Sequence, residues 1–253
     1  MRVAVRGMAT KNLGGEQPAE SSADGRRSCD GDCYLRINSV ASEVPNLGPA
    51  PATVLWVQGC VHRPCRQCMS PETWNPQAGV RARVVDIAAW LELQPSRNLT
   101  ISGGEPVEQA GPLNALLDRL DGEWVVTVYT GHDLDALRPP ATSPSPARPD
   151  VTELLDRIDL LIAGPYLPER HASLLWRGSD NQVIHELSGR ATLPDDDRTA
   201  GVTFHMNETG LETIGVPPAP GFLRILNAEA RQRGIRLRRP DEPRTFPFAV
   251  EES

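Results

Sequence analysis

Asn98-Leu99-Thr100-Ile101-Ser102-Gly103-Gly104-Glu105-Pro106 is the stretch on which the reading of this chain turns. Asn98 to Ser102 has the apolar centre of a buried strand, and it runs directly onto a double glycine. Pro112 fits the first position of a following helix, because its fixed φ suits a first turn. Leu113, Leu116, Leu117 and Leu120 then fall on one face of that helix. Trp124 to Tyr129 is a second β-prone run, closed by Thr130-Gly131. Strand, glycine turn, helix and strand make one βα repeat, and the rest of the chain is read outward from it.

Toward the N-terminus, Val54-Leu55-Trp56-Val57 is a short buried strand that ends at Gly59. Tyr34-Leu35-Arg36-Ile37-Asn38 alternates like a strand as well. Val84 to Leu93 reads as a helix with Val84, Ile87, Ala88 and Leu91 inside. Toward the C-terminus, Pro139 to Pro149 is an extended Pro/Ser/Ala loop. Asp150 then caps a helix, with Glu153 completing a capping box and Val151, Leu154, Leu155 and Ile158 as its buried stripe. Asp159 to Ala163 is a further strand, stopped by Gly164-Pro165. Val183 to Gly215 reads as two short strands around a polar turn, and Phe222 to Arg233 as a last helix closed by Gly234. The alternation predicts an α/β fold of mostly parallel strands joined by right-handed crossovers. Residues 1–33 are polar and aperiodic and read as a disordered tail, 34–239 as the folded domain, and 240–253 as a C-terminal tail.

The net charge of −7 and pI near 5.3 argue against general nucleic-acid binding. Lys11 is the only lysine, so arginine supplies the remaining positive charge. No apolar run reaches the roughly 18 residues of a membrane span, and no signal-peptide core precedes the domain. The cytoplasm is the expected location.

Five cysteines in a chain without a secretory signal do not read as a disulfide framework. Three of them, Cys60, Cys65 and Cys68, sit on one loop after the Val54–Val57 strand. Clustered thiols in a reducing compartment are metal ligands or redox groups. On the cysteines alone an iron–sulfur cluster and zinc stand level, with His62 as a conceivable fourth zinc ligand lying inside the loop it would close. The Ser102–Pro106 loop tips the balance. Its glycines let backbone come close to a ligand, and its carbonyls can accept from an ammonium group. Both loops follow strands, so both lie at the carboxyl edge of one sheet, where such folds bind ligands.

A three-cysteine loop followed one βα unit later by Gly-Gly-Glu-Pro resembles the radical S-adenosylmethionine superfamily. More narrowly, Leu35–Asn38, Leu47-Gly48-Pro49, Trp56–Cys60, Pro71-Glu72-Thr73-Trp74, Tyr129-Thr130-Gly131, Gly164-Pro165-Tyr166 and Arg177–Gln182 are similar to the anaerobic ribonucleotide reductase activating proteins. The resemblance implies a partial (βα) barrel of radical S-adenosylmethionine type. It implies a [4Fe–4S] cluster on Cys60, Cys65 and Cys68 and S-adenosylmethionine held by Gln67, Cys68, Met69, Gly103, Gly104 and Glu105. It further implies reductive cleavage to a 5′-deoxyadenosyl radical, with flavodoxin or ferredoxin as electron donor. The partner it implies is a glycyl-radical enzyme; modification of a peptide or small metabolite, or a non-catalytic cluster or zinc module, are the rival readings.

Two residues depart from that pattern. Val61-His62-Arg63-Pro64 separates the first two cysteines by one residue more than is usual there, and Ser70 stands where an Asn is usual. The expectation is that the extra residue bulges outward and that His62 is uncoordinated, with Pro64 setting the approach of Cys65. His132, His171, His185 and His205 read as surface or loop residues, and Cys29 and Cys33 as unpaired cysteines of the tail.

Overall fold

The computed structural model describes residues 33–62, 65, 68–198, 201–207, 210–235 and 245–252. The expectations for residues 1–32, for Arg63 and Pro64, and for Gln67 lie outside the described residues.

Among the described residues the strands are β1 (Tyr34–Val44), β2 (Ala52–Val57), β3 (Val80–Arg83), β4 (Asn98–Gly103), β5 (Val125–Thr130), β6 (Leu160–Ala163), β7 (His171–Leu174), β8 (Arg177–Ser179), β9 (Val183–Glu186), β10 (Val202–Asn207), β11 (Gly210–Gly215) and β12 (Glu251–Glu252). The α-helices are α1 (Val84–Glu92), α2 (Ala110–Leu117), the single turn α3 (Leu134–Leu137), α4 (Pro149–Arg157) and α5 (Phe222–Gln232). Eight strands form one sheet in the order β12-β3-β1-β2-β4-β5-β6-β9. Its centre, β2 to β6, is parallel. The flanks are antiparallel: β1 pairs with β2 and β3, β12 with β3, and β9 with β6. The parallel reading therefore holds for the centre and not for the edges.

One face of the sheet carries the helices. Leu35, Ile37, Leu55, Val57, Leu99, Ile101, Val126, Val128 and Leu161 meet Ile87 and Leu91 of α1, Leu113 and Leu116 of α2, and Leu154 and Leu155 of α4 in one buried cluster. Each such side chain contributes about 1.5–3 kcal/mol by leaving water. The opposite face is covered piecemeal. Val44, Ala52 and Val54 meet Ile214 of the β10–β11 hairpin, and Leu160 meets Leu175 and Trp176. No helix among the described residues is long and apolar enough to cross a membrane.

Four local expectations change. Pro112 is not the start of α2; a 3-10 turn, Pro106–Gln109, comes first, with Pro106 at its first position and the Glu105 side chain accepting from Val107 N. Pro149 opens α4, and Asp150 bonds to Arg148 instead of capping, so the capping box does not form. Cys33 is buried in the helix-side core, and its carbonyl accepts from Val84 N at 2.8 Å, so it is no part of a loose tail. Residues 245–252 dock as well: Phe246, Phe248 and Val250 pack on the core, Phe248 lies 5.4 Å from Trp90, and β12 extends the sheet.

Candidate metal centre

Parallel strands β2, β4 and β5 release their chains at the same edge, and three loops meet there: Gly59 to Cys68, Gly104 to Pro106, and Gly131 to Asp133. The glycines set how closely. Gly103 has φ of +107°, and a Cβ on it would lie 2.5 Å from backbone atoms of Val57. A Cβ on Gly104 would lie 2.0 Å from the carbonyl oxygen of Gly59. Gly104 N donates to Val57 O and Glu105 N to Gly59 O, at 2.9 and 2.8 Å. The double glycine is thus first a packing device that presses the β4 turn onto the root of the cysteine loop.

The root of the cysteine loop is fixed from the other side too. Gly59 N donates to Thr73 O at 2.7 Å and Cys60 N to Trp74 O at 3.4 Å. Buried Gln58 donates to the carbonyls of Glu72 and Asn75 at 2.9 and 2.8 Å and accepts from Asn38. Gln109 accepts from Arg36 N and donates to the carbonyls of Arg36 and Gln58. Gln109 carries no local signal, because its partners lie more than fifty positions away.

Cys60, Cys65 and Cys68 are all half-buried. Cys65 donates a hydrogen bond to Cys68 and is pushed up by it, by burial and by the charges of Cys68 and Cys60. Cys68 is lowered to about 6, first by that bond; burial opposes it, and the Ser70 backbone and the Trp74 side chain assist. Met69 follows, half-buried, while the side chain of Val61 is 54% exposed. Three soft donors from one loop, one of them already acidic, suit a cubane cluster with one iron left open. Structural zinc wants a fourth ligand, and Nε2 of His62 is committed elsewhere.

That commitment is to Glu105, a fully buried carboxylate. His62 Nε2 donates to Oε2 at 2.7 Å and Gly131 N to the same oxygen at 2.9 Å. Thr130 Oγ1 and Val107 N donate to Oε1 at 2.9 and 3.3 Å. The hydrogen bond to Glu105 raises the His62 imidazole above its ordinary value, against partial burial. His132 stands edge-on to His62 with ring centroids 4.4 Å apart. His62, Glu105 and His132 offer ligand atoms within 4.8 Å of one another. With four donors on Glu105, however, its lone pairs are already taken. His132 lies in the loop after β5, as its sequence suggested, and the contact of His62 with Glu105 is one the sequence did not show.

Of the remaining histidines, His171 Nδ1 pairs with the Tyr166 hydroxyl at 3.2 Å, His185 lies on β9, and His205 on β10. Arg177 to Gln182 folds back as a scaffold. Gln182 Oε1 accepts from Gly178 N and Ser179 N, its Nε2 donates to Gly164 O, and Asn181 donates to Pro165 O. This presents Tyr166, whose phenol is pushed up by burial and then by the charges of Cys65 and Glu169. Tyr129, next to last in β5, packs against the Leu160 and Trp176 cluster, and burial pushes its phenol up.

Residues 47–185 match the family model described as a 4Fe-4S single cluster domain. The anaerobic ribonucleoside-triphosphate reductase-activating protein of Vibrio cholerae is 32% identical over 156 residues, 56% of this chain and 91% of its own length. The protein of that description from Escherichia coli strain K12 is 28% identical over 151 residues, covering 55% and 91%. The one from Enterobacteria phage T4 is 29% identical over 145 residues, covering 54% and 85%. No solved structure matches the chain.

Proposed function

This chain belongs to the 4Fe-4S single cluster domain family, and from that premise we propose that it is a radical S-adenosylmethionine enzyme that activates a glycyl-radical partner. The relatives are named as activators of an anaerobic ribonucleoside-triphosphate reductase, so a reductase of that kind is the proposed partner. The observation that carries the reading is the set of three half-buried thiols on one loop. When bound, the cluster and S-adenosylmethionine supply reductive cleavage to methionine and a 5′-deoxyadenosyl radical, the electron coming from flavodoxin or ferredoxin.

The chain's own residues do the rest. Cys60, Cys65 and Cys68 hold the cluster as thiolates, and the low value at Cys68 favours the form that binds iron. Gln58, Gln109 and the Thr73 and Trp74 carbonyls fix where Cys60 leaves the sheet. The Gly103-Gly104-Glu105 turn, with Met69, lines the side on which S-adenosylmethionine is proposed to bind. Tyr166 borders the same loop, near enough to feel the charge of Cys65. The partial-barrel curvature implied by the resemblance belongs to this same proposal.

Anaerobic reconstitution tests it. Wild-type protein is expected to take up about four irons per chain, and Cys65→Ala to lose them. Stoichiometric zinc without iron overturns the reading.

A further inference from the structure

The cysteine loop carries one residue more than the pattern it resembles, and the structure spends one of its residues on an anchor. His62 is turned inward onto Glu105, the residue that follows the double glycine. Its seat is built from three loops. Glu105 comes from the end of β4, Gly131 and His132 from the end of β5, and the ring itself from the loop after β2. Gly131 makes room: a Cβ there would lie 2.7 Å from the imidazole. His132 closes the edge, and Thr130, Gly131 and Val107 hold the carboxylate in place. Resting on the cluster reading above, we infer that His62 is a positioning residue: a latch that ties the iron-ligand loop to the Gly103-Gly104-Glu105 turn and holds Cys60 and Cys65 at the spacing a cluster needs.

The physical reason lies in the span from Cys60 to Cys65. Ordering each residue of a free loop costs about 1–2 kcal/mol of conformational entropy. A bond at His62 divides that span and fixes its first half before any iron arrives. It also continues, through side chains, the backbone contacts by which Glu105 N and Gly104 N hold Gly59 and Val57. The two loops then move as one body, so the ligand thiols and the glycine turn keep a constant separation.

The test uses two polar replacements of different reach. Glutamine places its amide nitrogen about where Nε2 of histidine lies, whereas asparagine stops short of hydrogen-bond distance to Glu105. On reconstituted protein, release of iron to a chelator is expected to be about tenfold faster for His62→Asn and within about twofold of wild type for His62→Gln, as befits one hydrogen bond to a charged group. Gly131→Ala pushes the ring off its seat without altering it, and is expected to behave like His62→Asn. Thermal midpoints of the two His62 variants are expected to agree, which separates positioning from loss of fold. Equal release rates for His62→Asn and wild type, or a glutamine variant as fast as the asparagine variant, overturn the latch.

Backbone amide exchange on metal-free protein decides the latch separately from the cluster. The peptide spanning residues 59–69 is expected to exchange faster in His62→Asn than in wild type or His62→Gln; identical exchange overturns the latch. Wild-type protein that takes up no iron overturns the cluster reading alone, and the exchange comparison still judges the latch.

Discussion

Gly104 shows at the scale of one residue how a motif can hold two duties. The absent Cβ keeps the β4 turn against the carbonyl of Gly59, so the residue supports Cys60 before it serves any bound molecule. Alanine there meets backbone, which cannot step aside as a flexible side chain does. Gly104→Ala is therefore expected to cost on the order of 3 kcal/mol and to lower cluster uptake with it, measured by thermal melting and iron content side by side. An unchanged melting temperature contradicts the packing role. The cysteines and the glycine pair are legible in the sequence because they are local. Glu105 was legible only as part of the motif, since the residues that satisfy it, His62 and Thr130, stand 43 and 25 positions away. The partner of His62 was hidden for the same reason: its spacing among the cysteines says nothing of a carboxylate arriving from another strand.

Among the elements, the helices and parallel strands were readable because their apolar stripes repeat with the helix and strand periods. Leu113 and Leu116, and Leu154 and Leu155, stand inside as their spacing requires. The antiparallel flanks were not readable, because pairing of β1 with β3 or of β12 with β3 is a choice between distant segments. Phe246-Pro247-Phe248-Ala249-Val250 did carry a signal, the alternation of large apolar residues, hidden within a stretch taken for a tail. Truncation after Arg244 removes β12 and this apolar run. It is expected to lower stability by about 2–4 kcal/mol, judged by burial of two to three side chains, and to leave iron content unchanged. A melting curve identical to that of the full chain contradicts the docking of this segment.

The N-terminal end of the sheet offers a second element-scale prediction. Buried Asp159 accepts from Val126 N at 2.7 Å and pairs with Arg190, which also donates to the carbonyls of Gly122 and Trp124. Removing the arginine leaves a carboxylate in the core without its cation. Arg190→Ala is expected to destabilise by about 3 kcal/mol, against less than about 1 kcal/mol for Arg138→Ala at the exposed pair with Asp156. Equal effects in urea unfolding contradict the assignment of Asp159 as a buried, dependent charge.

Across the whole molecule, the parallel centre gathers three loops at one edge, and the antiparallel flanks and helices hold that edge rigid from behind. The thiols, the glycine turn and the Thr130–His132 segment belong to one site because β2, β4 and β5 are neighbours in register. The family match spans residues 47–185, whereas the β10–β11 hairpin and α5 lie beyond it. The proposed chemistry lies in the matched part, and the β10–β11 hairpin covers the opposite sheet face through Ile214. The most direct test of the central claim is product analysis under anaerobic conditions with dithionite and S-adenosylmethionine. Reconstituted wild-type protein is predicted to release 5′-deoxyadenosine and methionine in equal amounts, and Cys68→Ala to release neither. A wild-type protein that holds its iron yet yields no 5′-deoxyadenosine, or a Cys68→Ala variant that yields as much as wild type, would contradict the account.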